Sequence, residues 1–332
     1  MDPVGLSFGQ GASGELLRRL ELTVNRRLDG VLQGDYRGLV PGHGSELGET
    51  RAYQPGDDVR RIDWNVTART QTAHVRETIA DRELETWVLV DRSASMHFGT
   101  AQYEKRELAA IALAAVGFLT ARTGNRLGAV FAGDGPALVT PARGGRTHLL
   151  SVLHRALTQP AATAPRRQPE VGPPGADRRQ EGLAASMERM AALHRRRGLA
   201  VVISDFLDPA PGSGNATDAP GWIRPLRRLA ARHETLAIEV IDPRELELPA
   251  VGVLTLVDPE TGRRREVQTS SAKLRARYAA AAIEQRQTIA AHIMRSGADH
   301  LVLRTDGDWL AELIRFVALR RERAARLPRR TS

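Results

Sequence analysis

The chain has 332 residues, 42% of them hydrophobic, enough for one large or two ordinary domains with a sizeable core. It has no cysteine, which excludes disulfides, thiolate metal sites and cysteine nucleophiles and fits a cytoplasmic protein. The formal charge of +9 raises nucleic acid or acidic lipid as partners, yet lysine occurs only at Lys105 and Lys273, aromatics make up 4%, and the arginines are spread over helices without interleaved rings, so direct nucleic-acid binding is not expected.

The first fourteen residues lack a charged start followed by an apolar run, so no signal peptide is expected. Leu16, Leu17, Leu20, Val24, Leu28 and Val31 then recur at helical spacing opposite a charged face and predict an amphipathic first helix. From Gly34 to Glu77 the chain turns rich in Gly, Arg, Asp and His. Pro55-Gly56 marks a turn, and Val59, Ile62 and Trp64 can anchor the segment by burial. Arg51, Asp57, Asp58, Arg60, Arg61, Asp63 and Arg69 can form ion pairs that lock an irregular loop onto the main domain, because buried charges are tolerated when paired. The other use of the segment is as a docking surface for a partner.

The run Trp87-Val88-Leu89-Val90-Asp91 predicts a buried strand whose carboxyl end opens into a ligand crevice. Asp91, Ser93 and Ser95 follow at alternate positions. One carboxylate and two hydroxyls are hard oxygen donors, suited to Mg²⁺ or Mn²⁺. The plainer alternative is that both serines cap the next helix and Asp91 bonds local amides.

Residues 103–122 then read as a helix, and the apolar run Leu108 to Leu119 is too short to span a bilayer, which takes roughly 18–20 residues. Leu127 to Ala132 and Ala137 to Thr140 form a hairpin around Gly133-Asp134-Gly135. Thr147 stands at the start of a helix reaching about Leu157. Residues 160–180 read as a surface loop, a helix runs from Leu183 to Gly198, and Leu199 to Asp205 is a second buried strand ending in Asp. After a loop over 208–221 come a helix (225–232), a strand (235–241), a hairpin over 252–269, a long helix (271–295), a strand (300–303) and a helix (309–321). Alternating strands and helices predict an α/β domain over 85–321 with a mostly parallel sheet and helices on both faces, preceded by an N-terminal region (1–84) packed on it and followed by a basic tail (322–332). Asp91 and Asp205 on neighbouring strands would reach one crevice.

The ordered set Arg51-x-Tyr53-x-Pro55-Gly56-Asp57-Asp58-Val59-Arg60-x-Ile62-Asp63-Trp64, Ala68-Arg69-Thr70, Val75-Arg76-Glu77, Asp91-x-Ser93-x-Ser95-Met96, Asp242-Pro243-Arg244-Glu245, Asp258-Pro259-Glu260-Thr261-Gly262 and Asp306-Gly307-Asp308-Trp309 resembles domain-of-unknown-function family 58. Its members resemble von Willebrand factor type A domains, which are Rossmann-like. The resemblance implies a metal-ion-dependent adhesion site of Asp91, Ser93, Ser95, Thr147 and Asp205 holding Mg²⁺ or Mn²⁺. Thr140 competes with Thr147, and the family's Thr-Asp-Gly reads here as Ser204-Asp205-Phe206. It implies a non-enzymatic interaction module that binds a partner's acidic group and accompanies a MoxR-type AAA+ ATPase in protein maturation or remodelling. Arg51, Tyr53, Asp57, Asp58, Arg60, Asp63 and Trp64 are the candidate partner-binding residues. The rival, a phosphatase-like metal-dependent hydrolase, needs a second Asp two residues after the first, where Ser93 stands and cannot do a carboxylate's proton transfer. No phosphate-cradling Gly-x-x-x-x-Gly-Lys-Ser/Thr run is present.

Overall fold

The computed structural model describes Leu22 and residues 50–53, 62–76, 84–122, 125–133, 135–158, 182–207, 219–257 and 263–326. The expected first helix, the loop over 160–180, most of that over 208–221, and Asp57, Asp58 and Arg60 lie outside them. The chain divides into two compact units, Pro41–Glu83 and the remainder.

In the smaller unit, β1 (Thr50–Ala52) pairs antiparallel with β2 (His74–Arg76), and α1 (Trp64–Thr70) lies between them in sequence. The expectation of an irregular loop is thus corrected in part. Asp63 starts α1: its Oδ1 accepts from the amides of Asn65 (3.1 Å) and Val66 (3.3 Å), which satisfies two otherwise orphaned helix donors. Trp64, expected to anchor the segment by burial, is 70% exposed, because capping by Asp63 places it at the first position of a helix that buries none of its residues.

The larger unit is built on β3 (Glu85–Asp91), β4 (Arg126–Gly133), β5 (Gly135–Arg143), β6 (Gly198–Ser204), β7 (Glu234–Ile241), the separate antiparallel pair β8 (Val253–Val257) and β9 (Arg264–Gln268), and β10 (Asp299–Arg304). Its helices are α2 (Lys105–Arg122), α3 (Arg146–Thr158), α4 (Leu183–Leu193), α5 (Ile223–Arg232), α6 (Pro243–Leu246), α7 (Ala272–Arg295) and α8 (Trp309–Arg326). The main sheet has the order β10-β7-β6-β3-β4-β5, parallel throughout except for β5 at the edge. α4 stops short of the expected Gly198, and α8 continues through Arg326 into what reads from the sequence as tail.

The uninterrupted apolar runs of β3 and β6 follow from burial on both faces, as in parallel sheets generally. Alternation along the strands sorts the side chains into two cores. Val88, Val90, Val201 and Ile203 pack with α2, α3 and α8; Trp87, Leu89, Ala200 and Val202 pack with α4, α5 and α7. Helices therefore cover both faces, as expected. The first crossovers from β3 go toward β4 and the later ones toward β6, so the direction of winding reverses between β3 and β6. The crevice at their carboxyl ends is the position where such sheets bind ligands.

At the opposite, amino end, His194 and His233 stack with ring centroids 3.8 Å apart, both buried, their ring nitrogens without hydrogen-bond partners among the described residues. Burial, then the neighbouring His233, pushes His194 down to about 3. The folded imidazole thus stays neutral where an unfolded one, with a pKa of about 6.5, takes up a proton, and its contribution to stability is lost as pH falls from 6.5 toward 3. Urea unfolding at about pH 7 and about pH 4.5 is expected to show His194→Phe gaining stability relative to wild type at the lower pH. An unchanged difference between the two would refute the neutral imidazole.

Candidate functional site

Asp91 is the last residue of β3 and only 5% exposed. Its Oδ1 accepts from the Ser93 amide at 2.8 Å, which turns the chain out of the sheet. A 3₁₀ turn (Ala94–His97) follows, anchored by fully buried Met96. Ser93 stands at the cap of that turn, but its hydroxyl makes no capping bond; Ser93 Oγ and Ser95 Oγ lie 3.1 Å apart instead. The capping alternative therefore fails for Ser93, while Asp91 does bond a local amide.

Asp205 follows β6, one strand over. Ser204 Oγ donates to Asp91 Oδ2 at 2.6 Å and accepts from the Phe206 amide at 3.0 Å, tying the two strand ends together. Phe206 occupies the glycine position of the family pattern and has φ 56°, the left-handed conformation a glycine adopts freely and a bulky residue rarely does. It is held there by burial against Trp222, whose indole Nε1 donates to the Phe206 carbonyl at 3.2 Å. Such strain persists only where the surroundings enforce it, and here it aims Asp205.

Lys105, the first residue of α2 and completely buried, donates through Nζ to Asp205 Oδ2 (2.8 Å) and Glu245 Oε1 (2.5 Å). Glu245 lies on α6, whose capping box it completes with Asp242. Arg286 of α7 joins Glu245 (2.9 Å) to Glu239 (2.9 Å), and Glu239 meets His300 at 2.8 Å. Burial alone would raise Asp205, but the charge and hydrogen bond of Lys105, with a bond from Ser95, hold it below the usual carboxylate range. Lys105 is lowered by burial and raised more by Asp205 and Glu245, so it stays charged. Asp91 has no such partner: burial, then the charge of Asp205, pushes it up to about 6 against the bonds from Ser204 and Ser93.

Four of the five expected ligands, Asp91, Ser93, Ser95 and Asp205, are brought together. Thr147 is not. β5 runs antiparallel, so its end at Arg143 pairs with Leu127 at the amino end of β4, whereas Asp91 pairs with Ala132 at the carboxyl end. Thr147 follows Arg143 by four residues and is exposed beyond the amino ends of the parallel strands, about 16 Å along the sheet from the site at 3.3 Å per residue. Thr140, paired with Ala129, also lies below the crevice. Of the candidate partner residues, Arg51 lies in β1, Tyr53 is half-buried, Asp63 serves as a cap and Trp64 is exposed.

Sequence reasoning missed Lys105, Ser204, Glu245 and Arg286. Lys105 carried a signal, being one of two lysines in a chain where arginine otherwise supplies the positive charge. A compact ammonium fits between buried Asp205 and half-buried Glu245 where a planar guanidinium does not. Glu245 was legible as the fourth residue of the capping pattern Asp242-Pro-Arg-Glu245.

The donors fit a hard divalent cation in kind: two carboxylates and two hydroxyls, Ser93 bonding Asp91 and Ser95 bonding Asp205. Among the described residues no three His, Asp or Glu side chains converge on one point, so Asp91, Ser93 and Ser95 would hold the ion, with Asp205 facing it.

A family model described as "Protein of unknown function DUF58" matches residues 49–288. An uncharacterized protein of Mycobacterium tuberculosis (strain H37Rv) is 52% identical over 308 residues, covering 93% of this chain and 90% of the relative. Among solved structures, the conserved hypothetical protein BatB from Bacteroides thetaiotaomicron is similar with a TM-score of 0.42 at 13% identity, over 72% of this chain and 99% of that one. The SpRpn10 VWA domain is similar with a TM-score of 0.36 at 14% identity, over 70% and 93%.

Removing the Lys105 ammonium strands the buried Asp205 and the half-buried Glu245, and Lys105→Met is expected to cost about 3–5 kcal/mol in urea denaturation. Adding Asp205→Asn and Glu245→Gln should recover part of that loss. No recovery would mean that packing, rather than the ion pairs, holds the helix start.

Proposed function

The chain belongs to the DUF58 family, and on that footing we propose that it is a non-enzymatic interaction module in which Asp91, Ser93 and Ser95, faced by Asp205, hold a divalent cation of the Mg²⁺ or Mn²⁺ kind through which a partner protein's acidic group is bound. The observation that carries the reading is the unequal treatment of the buried carboxylates. Buried Asp205 and Glu239 and half-buried Glu245 each have a basic partner, and buried Asp242 accepts from Thr100, Arg244 and Thr305 and is held low, whereas Asp91 has only hydroxyl and amide donors, faces a second carboxylate and is pushed up. A buried carboxylate without a basic partner, set beside a second carboxylate and two hydroxyl oxygens, is a place suited to a cation. When bound, the cation would supply an electrophilic position open to an external carboxylate.

The cluster is read as binding and not catalytic: Asp205, held low by Lys105, is a weak proton acceptor, and both oxygens of Asp91, although it is raised to about 6, already accept hydrogen bonds from Ser93 and Ser204. The family resemblance supplies the partner class, a MoxR-type AAA+ ATPase, and the process, maturation or remodelling of other proteins. No helix among the described residues is long and apolar enough to cross a membrane.

Mg²⁺ or Mn²⁺ at 100 times its Kd is expected to raise the Tm of the full chain by roughly 4–8 °C, through preferential binding to the native state. Asp91→Asn should abolish the shift while remaining folded. Pull-down of a MoxR-type ATPase should be lost in EDTA and with Asp91→Asn. A wild-type Tm indifferent to either ion, or ATPase capture unaffected by EDTA, would overturn the cation reading.

A further inference from the structure

Next to Ser95 the surface opens into a cavity of about 940 Å³ between β8, α7 and the carboxyl end of the sheet, within the usual size of a ligand pocket. Its walls are chiefly apolar, from Phe98, Leu207, Leu248, Leu254 and Leu256. The charges on it do not balance. Glu245 is already neutralised by Lys105 and Arg286, whereas Arg244 and Arg265 form no ion pair among the described residues. An occupant must therefore be apolar over most of its length and carry negative charge.

The strand beside the cavity narrows the choice further. Among the described residues β8 and β9 form a sheet of two, so β8 has one edge that no described strand pairs with. The Thr269 amide bonds the Gly252 carbonyl, and the pairing continues in register through Leu254–Val267 and Leu256–Arg265. Antiparallel geometry then turns the backbone N–H and C=O groups of Val253, Thr255 and Val257 away from β9, toward the open edge. Those groups have no partner among the described residues. The side chains of Leu254 and Leu256 are half-buried and those of Thr255 and Val257 exposed, as alternation demands, yet all four consecutive residues border the cavity. Arg265, the cross-strand partner of Leu256, borders it too, so the cavity takes in the inner face of the hairpin together with the length of β8 next to its outer edge.

We propose that this cavity binds an extended peptide segment of a partner protein, added as a strand to the open edge of β8, with apolar side chains on the cavity wall and an acidic side chain directed to Arg244, Arg265 and the neighbouring Ser95. Backbone pairing with an exposed edge gives affinity and the pockets beside it give side-chain selectivity, a recurrent way of reading extended peptides. An unpaired edge left accessible is otherwise a liability. The approach of the acidic group to Ser95 rests on the cation reading above; the pairing with β8 does not.

The test is selection of a phage-displayed random dodecapeptide library on the full chain in Mg²⁺, followed by fluorescence polarisation of the enriched peptides. Sequences alternating apolar residues with Asp or Glu are expected. Thr255→Pro removes one outward amide without touching the β9 ladder and should weaken binding by about tenfold or more, whereas Thr255→Ala, which alters only the exposed side chain, should bind as wild type. Arg244→Glu with Arg265→Glu should lose the acidic peptides. Peptides that lose binding with Thr255→Pro but bind Asp91→Asn as they bind wild type would keep the strand site and refute the cation reading. Peptides lost with Asp91→Asn yet indifferent to Thr255→Pro would do the reverse. No enriched family, enriched peptides without acidic residues, or capture of phosphatidylglycerol vesicles in place of peptides would overturn the proposal.

Discussion

Parallel pairing of β3 with β6 is the constraint on which the rest depends. The register Val88–Val201, Leu89–Val202 and Val90–Ile203 brings Asp91 level with Ser204 and leaves Asp205 one residue beyond. A one-residue slip would exchange the two cores, sending Val201 and Ile203 to the face now filled by Ala200 and Val202. The burial that fixes the register therefore also fixes the distance between the two aspartates. The hydrogen bond from Ser204 to Asp91 reads that register out at the site.

Two carboxylates placed together by backbone geometry create an electrostatic problem, and the fold resolves half of it. Lys105, brought in at the start of α2, neutralises Asp205 and draws in Glu245, which α7 braces through Arg286. Asp91 is left to a hydroxyl and an amide. The ion-pair chain thus does two things: it stabilises the loop that presents Asp205, and it leaves the negative charge concentrated at Asp91, between two serine hydroxyls. The left-handed Phe206 belongs to the same arrangement, since its ring and Trp222 hold the loop in a conformation that its own side chain disfavours.

The additions to the sheet lie where they can modify recognition. α6 carries both Glu245, which faces the ion-pair chain, and Arg244, which faces the cavity beside β8. One short helix therefore connects the charge arrangement of the cluster to the character of the neighbouring cavity. The cavity is apolar where the hairpin and α7 form it and basic at its border, while the adjoining cluster offers oxygen. The Pro41–Glu83 unit has its own strand pair and capped helix, on which Trp64 is exposed.

The sequence by itself determined the α/β class, the two buried strands ending in Asp, the Asp91-x-Ser93-x-Ser95 loop, the C-terminal hairpin and the family. The structural features follow from local periodicity and from residues close together in the chain, and their boundaries shifted by only a few residues; the family rests on the resemblance of motifs spread from Arg51 to Trp309. The β4–β5 hairpin was legible, but Thr147 was set at the site by the resemblance, and only the parallel pairing of β4 with β3 shows that the returning strand carries the next helix start to the end of the sheet opposite Asp91. The sequence could not foresee the exposure of Trp64, which depends on Asp63 being a helix cap rather than part of a buried ion-pair cluster. Lys105, Glu245 and Arg286 are separated in sequence by 140 and 41 residues, and no local pattern links them. Their meeting, and the free edge of β8, exist only once the sheet has been wound and the helices laid on it, since charge compensation between distant segments is a property of packing and not of the chain.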